Sequence, residues 1–314
     1  MSFVGTLIGA GFASGKEIAT FLGNANGFTI LLTALSIGLL SLPFTMLGAL
    51  SHGNVIDAIF DKRREVGQIA LRTINFIMLG AMLGGAESII RLVANFSGGG
   101  FITAIFCIFA VRGGNKLLKG LNLLLMPIIL TTIAVIRYFS GSPIDGLFTL
   151  ISPLLYVGMN ALCAGLIVGN MSEGVTPKDS IVIGIFITLF MAVALLLIRS
   201  AIIGYENTEL PIIEVSKEVG IKPLGGFIVY TSILTSALSS LKLCATDKGT
   251  FNGLITVALA YLFSLIGFEK IINYAYPFIG VFGWSVVILT IYRIYKLKFN
   301  KLGALPCNEH KTLV

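Results

Sequence analysis

The sequence predicts an all-α polytopic membrane protein that crosses the bilayer about ten times. Only 12% of its 314 residues are charged and 56% are hydrophobic, whereas soluble domains carry about 25% charged residues. The charges are also unevenly placed, since the stretches 18–56, 146–172 and 271–292 contain none. Because about 20 apolar residues cross the hydrocarbon core of a bilayer, such stretches predict transmembrane helices.

The apolar stretches divide into ten predicted spans. Their bounds are 2–22, 28–50, 67–95, 99–112, 115–138, 151–171, 180–202, 223–243, 250–268 and 270–295. If the N-terminus is cytoplasmic, the inner connections hold more than twice as many Lys and Arg residues as the outer ones, the usual bias of membrane proteins. We therefore expect cytoplasmic termini, one transmembrane domain over 1–296 and a cytoplasmic tail over 297–314.

The spacing of the spans suggests an internal repeat. The centres of the first five spans precede those of the second five by about 150 residues each, which divides the domain into halves 1–140 and 141–296. Five is an odd number of crossings, so the second half must run inverted through the membrane. We expect a five-plus-five inverted repeat, a known transporter architecture.

The composition argues against several other classes of protein. The net charge of +7 comes from basic residues scattered over short connections, which favours membrane orientation over nucleic-acid binding. The cysteines are too widely separated to predict a disulfide framework or a zinc site; they are Cys107, Cys163, Cys244 and Cys307. No nucleophile–base pair is evident, so we expect no enzyme, no cofactor, and no partner beyond a small solute and lipid.

The most unusual local feature is GAGFASGKE, which runs from Gly9 to Glu17. Its glycines resemble a dinucleotide-binding turn, but that motif needs a preceding strand and an acid about 20 residues later, and no acid follows before Asp57. Small residues four apart would also suit close helix packing. We favour an unwound membrane helix, because ionisable residues at membrane depth usually face a cavity or a partner.

An unwound helix would present free backbone amides and carbonyls to a solute. The predicted solute-binding residues in this stretch are Gly9, Ala10, Gly11, Ala13 and Ser14. Lys16 and Glu17 are candidates for gating or for carrying a proton.

The sixth span contains LLYVGMNALCAGLIVGN, which the repeat pairs with the first span. Its glycines predict a second broken helix, with Gly158, Asn160 and Cys163 lining the solute site. Asn160 is equally well explained as a side chain that hydrogen-bonds between helices.

The eighth span contains TSILTSALSS, from Thr231 to Ser240. Hydroxyls in a membrane helix often bond back to their own backbone. A Thr-Ser pair facing an unwound helix would instead supply oxygen ligands for a hard cation such as sodium.

The segment GTLIGAGFASGKEI, Gly5 to Ile18, resembles the first helix of the YkvI-type bacterial membrane proteins. These are relatives of the amino acid–polyamine–organocation transporters, so the chain is similar, over nearly its full length, to the inverted-repeat fold typified by LeuT. The resemblance implies a bacterial cytoplasmic membrane and broken first and sixth helices. It also implies that a solute carboxylate meets the amides around Ala10 and Gly11.

Within that fold the resemblance implies a sodium site between the first and eighth helices. Its ligands would be the carbonyls of Gly5, Ile8 and Ser232 and the hydroxyls of Thr235 and Ser236. The chain departs from sodium-coupled relatives at two places. Leu83 and Gly84 lie where those relatives have a tyrosine, and Lys16 replaces a neutral polar residue.

Glu87 and Arg91 are four residues apart on the third span, so they can share a helix face. A structural ion pair between them is the first interpretation, and a gating or proton-handling role is the second.

Together these patterns predict a secondary active transporter of a small organic solute, an amino acid or similar zwitterion, that works by alternating access and is coupled to Na⁺. Two alternatives remain open. One is a proton-coupled exchanger of the same fold, in which Glu17 or Glu87 carries the proton. The other is a ligand-sensing receptor without net transport, as in spore-germinant receptor subunits.

Overall fold

The computed structural model describes residues 10–110, 115–244 and 250–303. Within these ranges the regular elements are helices, and β-structure is limited to one isolated bridge between Ala25 and Leu147. The helices are α1 (Ala10–Ser14), α2 (Lys16–Leu22), α3 (Gly27–Leu50), α4 (Val55–Phe60), α5 (Arg64–Ala94), α6 (Gly99–Ala110), α7 (Asn115–Ser140), α8 (Ile151–Asn170), α9 (Pro177–Ala201), α10 (Pro211–Glu218), α11 (Lys222–Cys244), α12 (Thr250–Ser264), α13 (Phe268–Lys270) and α14 (Tyr276–Gly303). A 3₁₀ turn, Asp61–Arg63, joins α4 to α5, and a π-helical turn, Ile271–Ala275, joins α13 to α14.

The helices follow the apolar stretches of the sequence. Six continuous helical segments among the described residues are long and apolar enough to cross a membrane. They are Gly27–Leu50, Val55–Ala94, Ile151–Asn170, Pro177–Ala201, Lys222–Cys244 and Phe268–Leu297. Shorter apolar helices occupy Gly99–Phe109, Pro127–Ser140 and Gly253–Ser264. The chain is a multi-pass, all-helical membrane protein, and the number of about ten crossings stays a prediction.

The lipid-facing surface is visible on α9. Its exposed residues recur at helical spacing, and they are Ile181, Val182, Ile185, Phe186, Leu189 and Val193. The opposite side is buried and includes Ile187, Met191 and Ile198. A helix that is apolar on every side and exposed on one side is typical of a helix that lies between the protein core and lipid.

Glycines set the closest helix contacts. Helix α3 packs along α9 and α8, and α8 packs along α14. A Cβ added at Gly48 on α3 would lie 2.0 Å from the Gly169 carbonyl oxygen on α8. A Cβ at Gly158 on α8 would lie 2.2 Å from the Gly280 carbonyl oxygen on α14. These positions let backbones meet directly, as small residues do at membrane helix interfaces.

The prediction that the sixth span is broken is wrong. Helix α8 runs without interruption from Ile151 to Asn170. Its glycines serve packing instead, since Gly165 faces the Phe44 ring and Gly158 and Gly169 face the backbones of α14 and α3. Packing against neighbours on both sides compensates the low helix propensity of glycine.

Candidate functional site

The first helix is interrupted at Gly15. This residue has φ +79°, in the left-handed region that ends α1 at Ser14 and begins α2 at Lys16. The Gly15 amide donates to the Phe12 carbonyl at 3.0 Å, and the Lys16 amide donates to the Ser14 hydroxyl at 3.3 Å. A side chain would be strained at this φ, and a Cβ there would also lie 3.0 Å from Ile202 Cγ2.

The interruption therefore exists, but it lies later than the sequence analysis placed it. Residues Ala10–Ser14 are helical, so the predicted unwinding at Ala10 and Gly11 is corrected to a turn at Gly15. Gly9 lies outside the described residues. Gly15 is the position where a left-handed turn and close packing against Ile202 coincide.

Lys16 is buried, with a side chain 3% exposed, and it links three parts of the chain. Its Nζ donates to Glu269 Oε1 on α13 at 2.7 Å and to the Thr208 carbonyl at 2.9 Å. A buried ammonium needs such partners because desolvation otherwise costs several kcal/mol, to order of magnitude. The pairing joins α2 to α13 and to the connection between α9 and α11.

We call residues 202–221, which include α10, the capping segment. Its Ile202 and Ile212 side chains pack against Gly15, at the helix interruption. Glu209 in this segment accepts from the Ser88 hydroxyl at 2.5 Å and pairs with Arg91 at 3.4 Å. The capping segment therefore covers the end of α1 and is bonded to α5.

Arg199 attaches the capping segment to the first helix at a further point. It is buried at the end of α9 and pairs through Nη1 with Glu206 at 2.9 Å. Its Nη2 donates to the Gly23 carbonyl at the end of α2. The carbonyls that end a helix carry partial negative charge and favour a cation there.

The predicted pair between Glu87 and Arg91 is wrong. The Glu87 carboxylate accepts from the amides of Gly98 at 3.0 Å and Gly100 at 2.9 Å, at the beginning of α6. Arg91 pairs with Glu209 instead. The first amides of a helix have no hydrogen-bond partner within that helix. The short connection 95–98 places the amides at the beginning of α6 beside Glu87, and they bond its carboxylate in place of Arg91.

Glu17 is buried, with 7% of its surface exposed. Its side chain folds over Gly11, where an added Cβ would lie 1.8 Å from Glu17 Oε1. No hydrogen bond or ion pair joins this carboxylate to another described residue. Helix α2 packs against α8 and against the π-helical turn that precedes Tyr276. The Phe21 ring, one turn after Glu17, has its centroid 5.7 Å from that of Tyr156.

Tyr156 and Tyr276 are aromatic residues of membrane spans that could line a pocket or pack in the core, and the sequence alone does not assign them to the site. Both are fully buried, and neither hydroxyl has a hydrogen-bond partner in the described part of the chain. A buried hydroxyl without a partner is costly.

The predicted residues of the sixth span separate into two groups. Asn160 is buried and donates to the Tyr156 carbonyl at 2.9 Å, and the Cys163 sulfur lies 3.9 Å from the Met78 sulfur on α5. These two lie on the side of Glu17. Gly158 lies on the other side, against α14 and Trp284.

The hydroxyls of the eighth span lie on α11, which packs against α1 and α10. The Thr235 hydroxyl donates to the Ser232 carbonyl at 3.0 Å. The Ser232 hydroxyl is buried and has no partner among the residues that the structure describes. Gly5 and Ile8, the predicted ligands from the first helix, lie outside those residues, so the sodium site stays a prediction.

The fold is that of known transporters. The chain is similar to Mhp1 in an inward-facing conformation, with a TM-score of 0.65 and 12% identity over 94% of this chain and 76% of that chain. It is similar to a manganese transporter of Eremococcus coleocola, solved with an aromatic bis-isothiourea substituted compound, with a TM-score of 0.56 and 14% identity over 98% of this chain and 88% of that chain.

A closed form of Mhp1, a nucleobase-cation-symport-1 family transporter with bromovinylhydantoin bound, has a TM-score of 0.52 and 13% identity over 93% of this chain and 73% of that chain. No protein-family model and no curated protein matches the sequence. The likeness shows that the chain shares its all-helical fold with these transporters, whereas the ten spans and the five-plus-five repeat stay predictions.

Proposed function

We propose that this protein is a secondary active transporter that moves a small organic solute across a bacterial cytoplasmic membrane by alternating access. The observation that carries the proposal is the pair between the buried Lys16 ammonium and the 44% exposed Glu269 side chain, beside the interruption at Gly15. It closes one end of an interrupted helix with contacts that can be made and broken. Two conformations whose balance a ligand shifts are what alternating access requires.

The capping segment is the proposed gate on the outer side. The Lys16 ammonium bonds the Thr208 carbonyl, and Glu209 bonds Ser88 and Arg91, so the segment is fastened to two helices. Opening this side would separate these pairs together. Because these ion pairs are partly exposed, each contributes only about 0–1 kcal/mol. The free-energy cost of separating them is therefore low enough for the gate to open and close reversibly.

The packing supports the proposed inverted repeat. Helices α3 and α9, the second and seventh spans, pack along each other, and so do α5 and α11, the third and eighth. In an inverted repeat, a twofold axis exchanges spans one to five with spans six to ten. It therefore exchanges the two helices within each of these pairs. Contact between spans that such an axis would relate is compatible with an inverted repeat.

The proposed solute is an amino acid or similar zwitterion, as membership in the YkvI-type proteins would imply, and the proposed coupling ion is Na⁺. The Ser232 carbonyl and the Thr235 and Ser236 hydroxyls would contribute to its site. A divalent metal is less well supported as cargo, because no group of three His, Cys, Asp or Glu side chains in the described ranges could hold one.

The buried Glu17 favours a second candidate, a proton-coupled exchanger. A carboxylate away from water and without a cationic partner is stabilised by taking up a proton. This candidate has the same fold and gate and differs in the ion that drives the cycle.

The test is uptake of labelled amino acids into liposomes that contain the purified protein. An inward Na⁺ gradient at equal pH should drive accumulation, and a pH gradient without Na⁺ should not. Accumulation that needs only the pH gradient would support the exchanger. Binding without flux under either gradient would overturn transport.

A further inference from the structure

Helix α2 packs against α8 and against the π-helical turn that precedes Tyr276, where the Thr20 hydroxyl lies 2.9 Å from Asn273 Oδ1. Three buried polar groups at or next to these contacts, beside the interruption at Gly15, have no hydrogen-bond partner among the residues that the structure describes. They are the Glu17 carboxylate on α2, the Tyr156 hydroxyl on α8 and the Tyr276 hydroxyl at the start of α14. We propose that these groups form the subsite that binds the ammonium group of the transported solute. This inference rests on the proposed transport function and assigns to Glu17 a direct contact with cargo.

The first argument is charge. Lys16, the neighbour of Glu17 in sequence, is committed to Glu269 and Thr208, and no other cation pairs with Glu17 in the described part of the chain. An uncompensated carboxylate in a buried site is unfavourable. The site therefore suits a positive group that the described residues do not supply.

The second argument is the number of groups that need a partner. A proton would neutralise Glu17 but would leave both tyrosine hydroxyls unbonded. An ammonium carries three N–H donors, which is enough for one hydrogen bond to the carboxylate and one to each phenol oxygen. Neither hydroxyl has a hydrogen-bond partner among the described residues.

The third argument is the surface around the carboxylate. Tyr156 and Tyr276 contribute aromatic rings, and the Phe21 ring centroid lies 5.7 Å from that of Tyr156. Ammonium groups bind well beside aromatic faces. Sodium prefers a cage of oxygens, and the carbonyls and hydroxyls of α11 suit it better.

Gly11 makes the position of the carboxylate possible. A Cβ at this residue would overlap the Glu17 side chain, lying 1.8 Å from Oε1 and 2.3 Å from Cδ. Gly11 is thus needed to seat Glu17, independently of any role of its backbone. This offers a way to displace the carboxylate without removing its charge.

The subsite lies directly behind the gate. Lys16 bonds the capping segment and α13, whereas Glu17, the next residue, contacts Gly11 and lies beside α8 and α14. With 7% of Glu17 exposed, the subsite is closed in this conformation. Separation of Lys16 from Glu269 would uncover it.

The experiment is a thermal-shift titration of the purified full-length protein with matched probes. They are L-leucine and L-phenylalanine, the amines isopentylamine and phenethylamine, and the amine-free acids 4-methylpentanoate and 3-phenylpropionate, each in sodium and in potassium chloride. Amine-bearing probes should raise the melting temperature, and the amine-free acids should not. If no amine-bearing probe stabilises the protein, or if the acids stabilise it equally, the proposal is overturned.

Two variants of the site and two controls complete the test. Glu17→Gln removes the charge, and Gly11→Ala displaces it; each should weaken amine binding about 10- to 100-fold, the range expected for a charge-assisted hydrogen bond. The controls are Glu173→Gln in an exposed loop and Gly253→Ala, where a Cβ meets nothing within 4 Å. Unchanged amine affinity in both site variants would overturn the assignment, and if Glu17→Gln does not fold, Gly11→Ala decides.

Flux separates this inference from the transport proposal. Glu17-dependent amine binding without uptake into liposomes would retain the subsite and reject transport. Uptake of the amino acids that persists at wild-type affinity in Glu17→Gln would retain transport and reject the subsite.

Discussion

Lys16 and Glu17 are adjacent in sequence but serve different surroundings. The Lys16 ammonium bonds Glu269 at 2.7 Å and the Thr208 carbonyl at 2.9 Å, whereas the Glu17 carboxylate folds over Gly11 and bonds no described residue. Successive side chains of an α-helix point about 100° apart, so Lys16 and Glu17 at the start of α2 face different neighbours. In the proposed mechanism Lys16 contributes to the gate and Glu17 to the solute site behind it.

Replacing Lys16 with Gln should favour the open gate. Glutamine is shorter and uncharged, so it cannot bridge Glu269 and Thr208. The conformational equilibrium should shift by about 1 kcal/mol, roughly a fivefold change. We expect faster alkylation of Cys163, behind the gate, by a charged thiol reagent in a background where the other cysteines are serine. Lys217→Gln, an exposed lysine 3.9 Å from Glu214, is the control. Equal rates in both variants would show that Lys16 does not gate.

Replacing Gly15 with Ala should destabilise the protein. A side chain in the left-handed region costs about 1–2 kcal/mol, and the new Cβ would lie 3.0 Å from Ile202 Cγ2. The melting temperature of the purified protein measures the effect. Gly253→Ala, in an open helical position, should be neutral or slightly stabilising because alanine favours helix. A melting temperature no lower in Gly15→Ala than in that control would contradict the turn.

Replacing Gly48 with Ala tests the contact between α3 and α8. Its Cβ would lie 2.0 Å from the Gly169 carbonyl oxygen, so the helices would have to separate. Overpacking of this kind costs about 1–3 kcal/mol, and the yield and melting temperature should both fall. Gly27→Ala, on the same helix with nothing within 4 Å, should leave both unchanged. Tolerance of Gly48→Ala would mean that these backbones do not meet.

Replacing Glu87 with Ala should act on stability. The carboxylate accepts from the Gly98 and Gly100 amides, so its loss removes the cap of α6 and should cost about 1–2 kcal/mol. Gln retains an acceptor and should cost less. Thermal unfolding of the two variants gives the comparison. A large loss of uptake in Glu87→Gln at normal stability would instead favour a role in proton handling.

Replacing Thr235 and Ser236 together with Ala tests the proposed sodium site on α11. If their hydroxyls bind Na⁺, sodium should raise the melting temperature of the wild-type protein and not of the double variant. Ser239→Ala, whose hydroxyl bonds back to the Thr235 carbonyl at 2.9 Å, is the control from the same helix. A sodium response that survives in the double variant would remove these residues from the site.

Particular residues show how far the sequence predicts this site. The ionisable residues Lys16 and Glu17 lie within apolar sequence, and ionisable residues at membrane depth are costly and usually functional. They therefore indicated a functional site on the first helix. The partner of Lys16 is Glu269, more than 250 positions later, and periodicity carries no information about such a pair. Gly158 and Gly15 were both glycines in predicted breaks, yet one packs against α14 and the other makes the turn.

The amino-acid sequence by itself determined that this is a helical membrane protein and which stretches form its helices. Those properties follow from local hydrophobicity, because each apolar stretch must satisfy its own backbone hydrogen bonds in lipid. Only the tertiary structure decided where the first helix turns, that α8 stays unbroken, and that Lys16 pairs with Glu269 while Glu17 folds over Gly11. These outcomes depend on contacts between helices distant in sequence, where small residues and buried polar groups have several possible partners and packing selects one.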